Sequence, residues 1–132
     1  MGQVRSSLRT SAFAMAMVGL LAGVSACGKP KVDAELAAKG EQAASICVAC
    51  HTFRTGKHLI GPSLAHVYGR KAGTVQDYVY SDAMKASGIT WDEASLTRFI
   101  SDPQGTVHGT NMAIQPIPAD TARAIVEYLK TK

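Results

Sequence analysis

Runs of like charge, internal repeats, low-complexity segments and a second closely spaced cysteine pair are all missing from this 132-residue chain. Without a lysine or arginine run, the formal charge of +4 does not make a nucleic-acid footprint. Cysteines number only 3, and Cys47 and Cys50 are the one pair at CxxC spacing. A structural zinc site takes four ligands, usually from two such pairs, so that reading fails. Sustained strand alternation is also lacking, which removes the βαβ setting that a thioredoxin-like dithiol needs. Aromatic residues are scarce: beyond the first quarter of the chain there are only Phe53, Tyr68, Tyr78, Tyr80, Trp91, Phe99 and Tyr128. A domain of roughly a hundred residues is marginal on its own apolar core. A large apolar cofactor at its centre would make up the deficit, and without it the chain should be poorly folded.

The N-terminal segment reads differently from the rest. Arg5 and Arg9 form a basic head, no acid precedes Asp33, and Ala12 to Val24 is apolar and uncharged. A charged head, a short apolar run and small residues describe an export signal, here residues 1–26. The run falls short of the ~20 residues a spanning helix needs, and an uncleaved anchor is the alternative. Val24-Ser25-Ala26-Cys27 resembles the lipobox of bacterial lipoproteins, with Cys27 as the acylated residue, although Val24 stands where leucine is commonest. The plain alternative is ordinary cleavage, leaving Cys27 an unpaired thiol. Residues 27–38 would then be a tether of at most ~25 Å over its polar part, Gly28 to Ala34, and 39–132 the domain. Removing residues 1–26 deletes Arg5 and Arg9 only, leaving 12 basic against 10 acidic residues.

What is present is Cys47-Val48-Ala49-Cys50-His51. Two thiols three positions apart, followed at once by an imidazole, are what covalent attachment of haem c requires. The cysteines add across the vinyl groups, and His51 reaches the iron from the same side. One covalently bound haem makes the protein a candidate electron carrier.

Along the rest of the chain the pattern predicts an all-α fold with long loops. An Ala-rich helix runs from Glu35 to Ile46, with a loop from Thr52 to Gly61 and a short helix from Ser63 to Tyr68. Ser81 or Asp82 caps a short helix through Ala86, ended by Gly88. Thr90 and Glu93 form a capping box for a helix from Trp91 to Ser101, stopped by Asp102-Pro103. After a loop to Ile117, Pro118 sits in the first turn of a final helix whose apolar face is Ile125, Val126, Tyr128 and Leu129. Lys130 and Lys132 favour the C-terminal end of that helix.

A haem iron held by His51 has one further axial position, for which His58, His66, His108, Met84 and Met112 are candidates. Methionine opposite histidine closes the iron and raises its potential, which suits electron transfer; an open position would suit an enzyme or gas sensor. Met112 lies in the loop Gly109-Thr110-Asn111-Met112. That segment, with Gly61-Pro62-Ser63-Leu64, Gly69-Arg70-Lys71-Ala72-Gly73, Tyr80-Ser81-Asp82-Ala83, Gly88-Ile89-Thr90-Trp91 and Asp102-Pro103, resembles the mitochondrial-type class I cytochromes c and their bacterial relatives. The likeness runs in the same order, from about Gly40 to Thr131.

The resemblance implies Cys47 and Cys50 as thioether attachments and His51 and Met112 as axial ligands. It implies Pro62 as the carbonyl that accepts from the proximal histidine. It places Tyr80 and Trp91 at a haem propionate with Arg70 nearby, and Thr110 beside the methionine. Met84 is then packing, and His58, His66 and His108 are surface or loop residues. Some positions depart from the family. Phe99 stands for a tyrosine near the methionine, and His108 for a proline. Gln104, Gly105 and Asn111 stand for lysines that dock acidic partners. Ala43 or Ala44, facing Ile125 and Tyr128, stands for a first-helix aromatic. The implied function is that of a monomeric, non-enzymatic carrier on the periplasmic side of a bacterial envelope, membrane-anchored or soluble. Its partners would be a quinol-oxidising cytochrome complex and a terminal oxidase or reaction centre. A dedicated haem subunit of one dehydrogenase or oxidase is the other carrier role, and no nucleic acid is involved.

Overall fold

The computed structural model describes residues 1–2 and 28–132; the export or anchor segment and Cys27 lie outside the described residues. Among the described residues, no helix is long and apolar enough to cross a membrane. Among the described residues there are five α-helices and one 3-10 helix, and the only strand-like pairing there is a bridge between Lys71 and Thr90.

Helix α1, Ala34–Ala43, starts because the Asp33 side chain accepts from the Leu36 N–H at 3.0 Å, so the boundary drawn at residue 38 falls inside a helix. Its inward face is small, with Ala37 and Gly40 buried. Helix α5, Ala119–Leu129, lies across it and supplies the bulk: Ala122, Ile125 and Val126 are wholly enclosed. Ile125 and Val126 each contribute about 1.5–3 kcal/mol on burial. Ala44 joins this core as expected, and at Gly40 α1 comes directly against the α5 backbone of Ala124 and Ile125. Tyr128 instead meets Phe53 edge-on at 5.5 Å, so Phe53 fills space that the small first helix leaves open.

Several boundaries differ from the sequence expectation, each for a tertiary reason. Helix α2, Asp82–Ala86, is capped by Ser81 as expected. Helix α3 runs Glu93–Ser101, and its capping box is Asp92 with Ser95, not Thr90 with Glu93. Thr90 and Trp91 are committed elsewhere: the Trp91 N–H donates to the Arg70 carbonyl, and the Gly69 N–H to that of Trp91. Asp102-Pro103 ends α3 and also opens an unexpected short helix, α4, Pro103–Thr106. There Asp102 accepts from the Gly105 N–H, and Pro103 occupies a first-turn position where no donor is needed. Pro118 caps α5 from outside rather than lying in its first turn.

No helix forms over 63–68. The Ser63 hydroxyl donates to the Arg54 carbonyl and accepts from the Ala65 N–H, and His66 sits at φ 52°, outside helical space.

Lys130 does not point past the end of α5 either. Its ammonium turns back onto Glu127 and Glu93, with Lys130 and Glu127 side chains only 5% and 6% exposed. Burial pulls the Lys130 pKa down, but the two carboxylates outweigh it and the net direction is up. Glu127 also accepts from the Asp33 N–H at 2.9 Å, so one buried carboxylate ties α5 to the start of α1. Glu127→Ala should cost about 2 kcal/mol, below the usual 3–5 for breaking a buried pair because Glu93 still faces Lys130. Chemical denaturation of the holoprotein checks this; a loss under about 0.5 kcal/mol would show the pair to be incidental.

Candidate functional site

The chain reaches Cys47 by a change of helical pitch. After α1 the backbone tightens into the 3-10 helix Ala44–Ala49, in a stretch that includes the β-branched Ile46 and Val48. With about three residues per turn, positions three apart fall into line, which suits the spacing of Cys47 and Cys50. The turn closes on the Cys47 carbonyl, which accepts from the N–H groups of Cys50 at 3.1 Å and His51 at 2.9 Å. Both cysteines are half-buried and neither is tied into a disulfide; burial pushes the Cys47 thiol up.

His51 follows with its ring half-buried, and burial holds its pKa below the ordinary value against the opposing pull of a carbonyl. That carbonyl is Pro62, 2.7 Å from Nδ1. A carbonyl oxygen only accepts, so Nδ1 carries the proton and the Nε2 lone pair is free on the opposite edge of the ring. Gly61 makes the approach possible: a Cβ there would overlap the His51 ring. The Gly61 N–H in turn donates to the Cys50 carbonyl at 2.7 Å, locking the 59–62 turn behind the imidazole.

The other histidines are placed differently. His58 has both ring nitrogens engaged, Nδ1 accepting from the Ser63 N–H and Nε2 donating to the Gln76 carbonyl, each at 3.0 Å. His66 and His108 are exposed. Met84 is buried in the core cluster that includes Trp91 and Phe99.

Met112 is half-buried, packed against the core cluster, on the loop between α4 and α5. Its N–H donates to the hydroxyl of buried Thr110 at 3.3 Å. Gln104, read from sequence only as a missing lysine, braces this loop. Its amide donates to the Thr110 carbonyl at 2.8 Å and reaches that of Met112 at 3.4 Å, while its oxygen accepts from the Gly109 N–H at 3.2 Å. The only sequence cue is position: the side chain stands in the first turn of α4, directly after Asp102-Pro103. Gln104→Ala should free the loop at a cost of about 1 kcal/mol. The check is the temperature at which the holoprotein loses the absorption band that a methionine ligand would give. It should fall in the variant and be restored by a glutamine elsewhere in the turn only if that residue reaches Thr110.

Arg70, Tyr80 and Trp91 come together through the Lys71–Thr90 bridge and its flanking bonds. Trp91 is 6% exposed and its ring lies 5.0 Å from that of Phe99. Arg70 donates to the carbonyls of Ala65 at 2.8 Å and Ser63 at 3.1 Å, and burial pulls its pKa down while nearby Tyr80 opposes. Burial pushes the Tyr80 hydroxyl up, and the Arg70 charge partly offsets this. No carboxylate among the described residues pairs with this half-buried guanidinium. It therefore suits an anionic group from outside the chain, such as a haem propionate. No group of three His, Cys, Asp or Glu among the described residues could hold a bare metal ion. Two thiols, one aimed imidazole, a braced methionine loop and an unpaired cation fit a haem.

Comparison with known proteins agrees. The family model for Cytochrome c matches residues 37–132. Cytochrome c2 iso-2 of Magnetospirillum molischianum is 46% identical over 88 residues, spanning 66% of this chain and 91% of that protein. Cytochrome c-550 of Bradyrhizobium diazoefficiens is 48% identical over 86 residues, spanning 64% of this chain and 63% of its own. The solved structure of cytochrome cH from Methylobacterium extorquens superposes with a TM-score of 0.68 at 44% identity, covering 73% of this chain and 98% of that one. The chain belongs to the cytochrome c family, with the class I fold and one haem c bound covalently through Cys47 and Cys50.

Proposed function

We propose that this cytochrome shuttles one electron at a time between membrane respiratory or photosynthetic complexes, taking it from a quinol-oxidising cytochrome complex and passing it to a terminal oxidase or reaction centre. The haem supplies a reversible ferric–ferrous couple, and no substrate bond is made or broken. Cys47 and Cys50 would hold it covalently, and His51 through Nε2 and Met112 through its thioether would be its ligands. Arg70, Tyr80 and Trp91 would neutralise and orient the propionates, and Thr110 would steady the methionine side. The domain works on the periplasmic side, held at the membrane by acylated Cys27, with an uncleaved anchor or a soluble form as alternatives.

The observation that carries this reading is the Nδ1–Pro62 hydrogen bond, which puts the ring proton on Nδ1 and leaves the Nε2 lone pair for a metal. With Met112 as the second ligand, no position would be left for an exogenous ligand, which suits a carrier. The test is addition of carbon monoxide to the reduced wild-type holoprotein at neutral pH. No binding is expected over the time of an electron-transfer assay; rapid, tight binding would give the reading up in favour of an enzyme or sensor.

A further inference from the structure

One peptide group stands between two imidazoles. The carbonyl of the Pro62–Ser63 peptide accepts from His51 Nδ1 at 2.7 Å, and the N–H of the same peptide donates to His58 Nδ1 at 3.0 Å. The sense of both bonds is fixed, because a peptide N–H only donates and a carbonyl only accepts. His58 Nδ1 therefore presents a lone pair, and its Nε2 carries the proton that goes to the Gln76 carbonyl at 3.0 Å.

The surroundings hold this arrangement in place. Ser63 is 2% exposed, so its N–H needs a partner within the chain, and His58 supplies it. The Ser63 hydroxyl donates to the Arg54 carbonyl at 2.8 Å, and the Ser63 carbonyl accepts from Arg70 at 3.1 Å. The peptide has little freedom to turn. On the other side Tyr78 meets the His58 ring edge-on at 5.6 Å, and its hydroxyl donates to the Ile60 carbonyl at 2.8 Å.

Hydrogen bonds in series polarise one another. A peptide whose N–H donates carries more negative charge on its oxygen, through amide resonance. That oxygen draws harder on the His51 Nδ1 proton, which makes Nε2 the stronger electron donor to a metal. Stronger donation favours the more highly charged ferric state and lowers the potential.

We propose that His58 tunes the potential of the iron through the Pro62–Ser63 peptide, lowering it by strengthening the hydrogen bond that His51 makes. His58 acts through other residues and is a positioning residue, one hydrogen bond further out than Pro62. This rests on the carrier reading, with His51 as a ligand.

The test is potentiometric titration of three holoprotein variants. Phenylalanine keeps a ring against Tyr78 and removes both bonds. Asparagine places an amide oxygen near the position of Nδ1 and keeps the bond to Ser63; glutamine reaches the position of Nε2 and keeps the bond to Gln76. In His58→Phe the ferrous-to-ferric ratio at a fixed applied potential should rise about threefold, or ~30 mV at about 59 mV per tenfold for one electron. His58→Gln should rise as much, while His58→Asn should stay within about 1.5-fold of the wild type. An unchanged ratio in His58→Phe overturns the proposal. So does a shift in His58→Asn that His58→Gln escapes, which would make the tie to Gln76 the cause. Equal shifts in all three overturn it too, since a loosened loop would then suffice. The wild type gives a check that needs no variant to fold: nitrogen-15 NMR of the ferrous holoprotein should show scalar coupling between the Ser63 amide and His58 Nδ1, and its absence overturns the proposal. Carbon monoxide binding to the reduced wild type would strike the carrier reading; unchanged potentials without such binding strike only the role of His58.

Discussion

Met112→Ala is expected to lower the midpoint potential of the holoprotein by on the order of 0.1–0.2 V, a fraction of the ~0.8 V that axial ligation commands, and to create carbon monoxide binding in the reduced form. Thioether sulfur favours the ferrous state, so loss of a methionine ligand would remove that preference and leave one coordination position open. The fold should survive: Met112 is half-buried, and the loop keeps Thr110 buried and Gln104 bonded across it. Potentiometric titration and a carbon monoxide difference spectrum measure the two effects together. A variant with unchanged potential and no carbon monoxide binding would show that another residue closes the iron. Neither His58, with both nitrogens engaged, nor exposed His66 and His108 offers a ready substitute. Met84 carries the same sulfur, but the core holds it in α2.

Features whose physics is local were legible in the sequence. Cys47-Val48-Ala49-Cys50-His51 announces its chemistry in five adjacent residues, and Ser81 caps α2 through its own neighbours. The start of α3 was misplaced because Thr90 and Trp91 pair with residues some twenty positions earlier, and nothing adjacent reveals that commitment. Asp102-Pro103 reads as a stop, yet the same two residues supply a cap and a first-turn proline, so α4 begins where α3 ends. Gln104 and Glu127 were missed as structural members for a common reason. Each works by reaching across a loop or between helices, and a single polar residue in a helix reads as solvated until its partners are placed.

Gly40→Val is expected to cost about 4 kcal/mol, above the usual 1–3 for overpacking because backbone blocks the added atoms. A side chain at this position would overlap the carbonyl of Ala124 and crowd the Ile125 nitrogen, and neither can rotate away as a flexible side chain could. Relief requires α1 to lift off α5, which would loosen the packing around Ile125 and Val126, both wholly enclosed. Helix propensity runs the other way, since valine is a better helix former than glycine, so a net loss can come only from the contact. For a domain of this size the shift should be on the order of 20 °C in Tm. Gly40→Ala should lose about half as much. Ala38→Val, on the exposed side of the same helix, should cost no more than ~0.7 kcal/mol. Thermal unfolding of the three holoproteins, followed by far-ultraviolet circular dichroism, ranks them. The same ranking should appear at the haem site, because the 3-10 helix bearing Cys47 continues directly from α1 and moves with it. If Gly40→Val and Ala38→Val unfold together, the helices are not in the close contact on which the placement of both thiols depends.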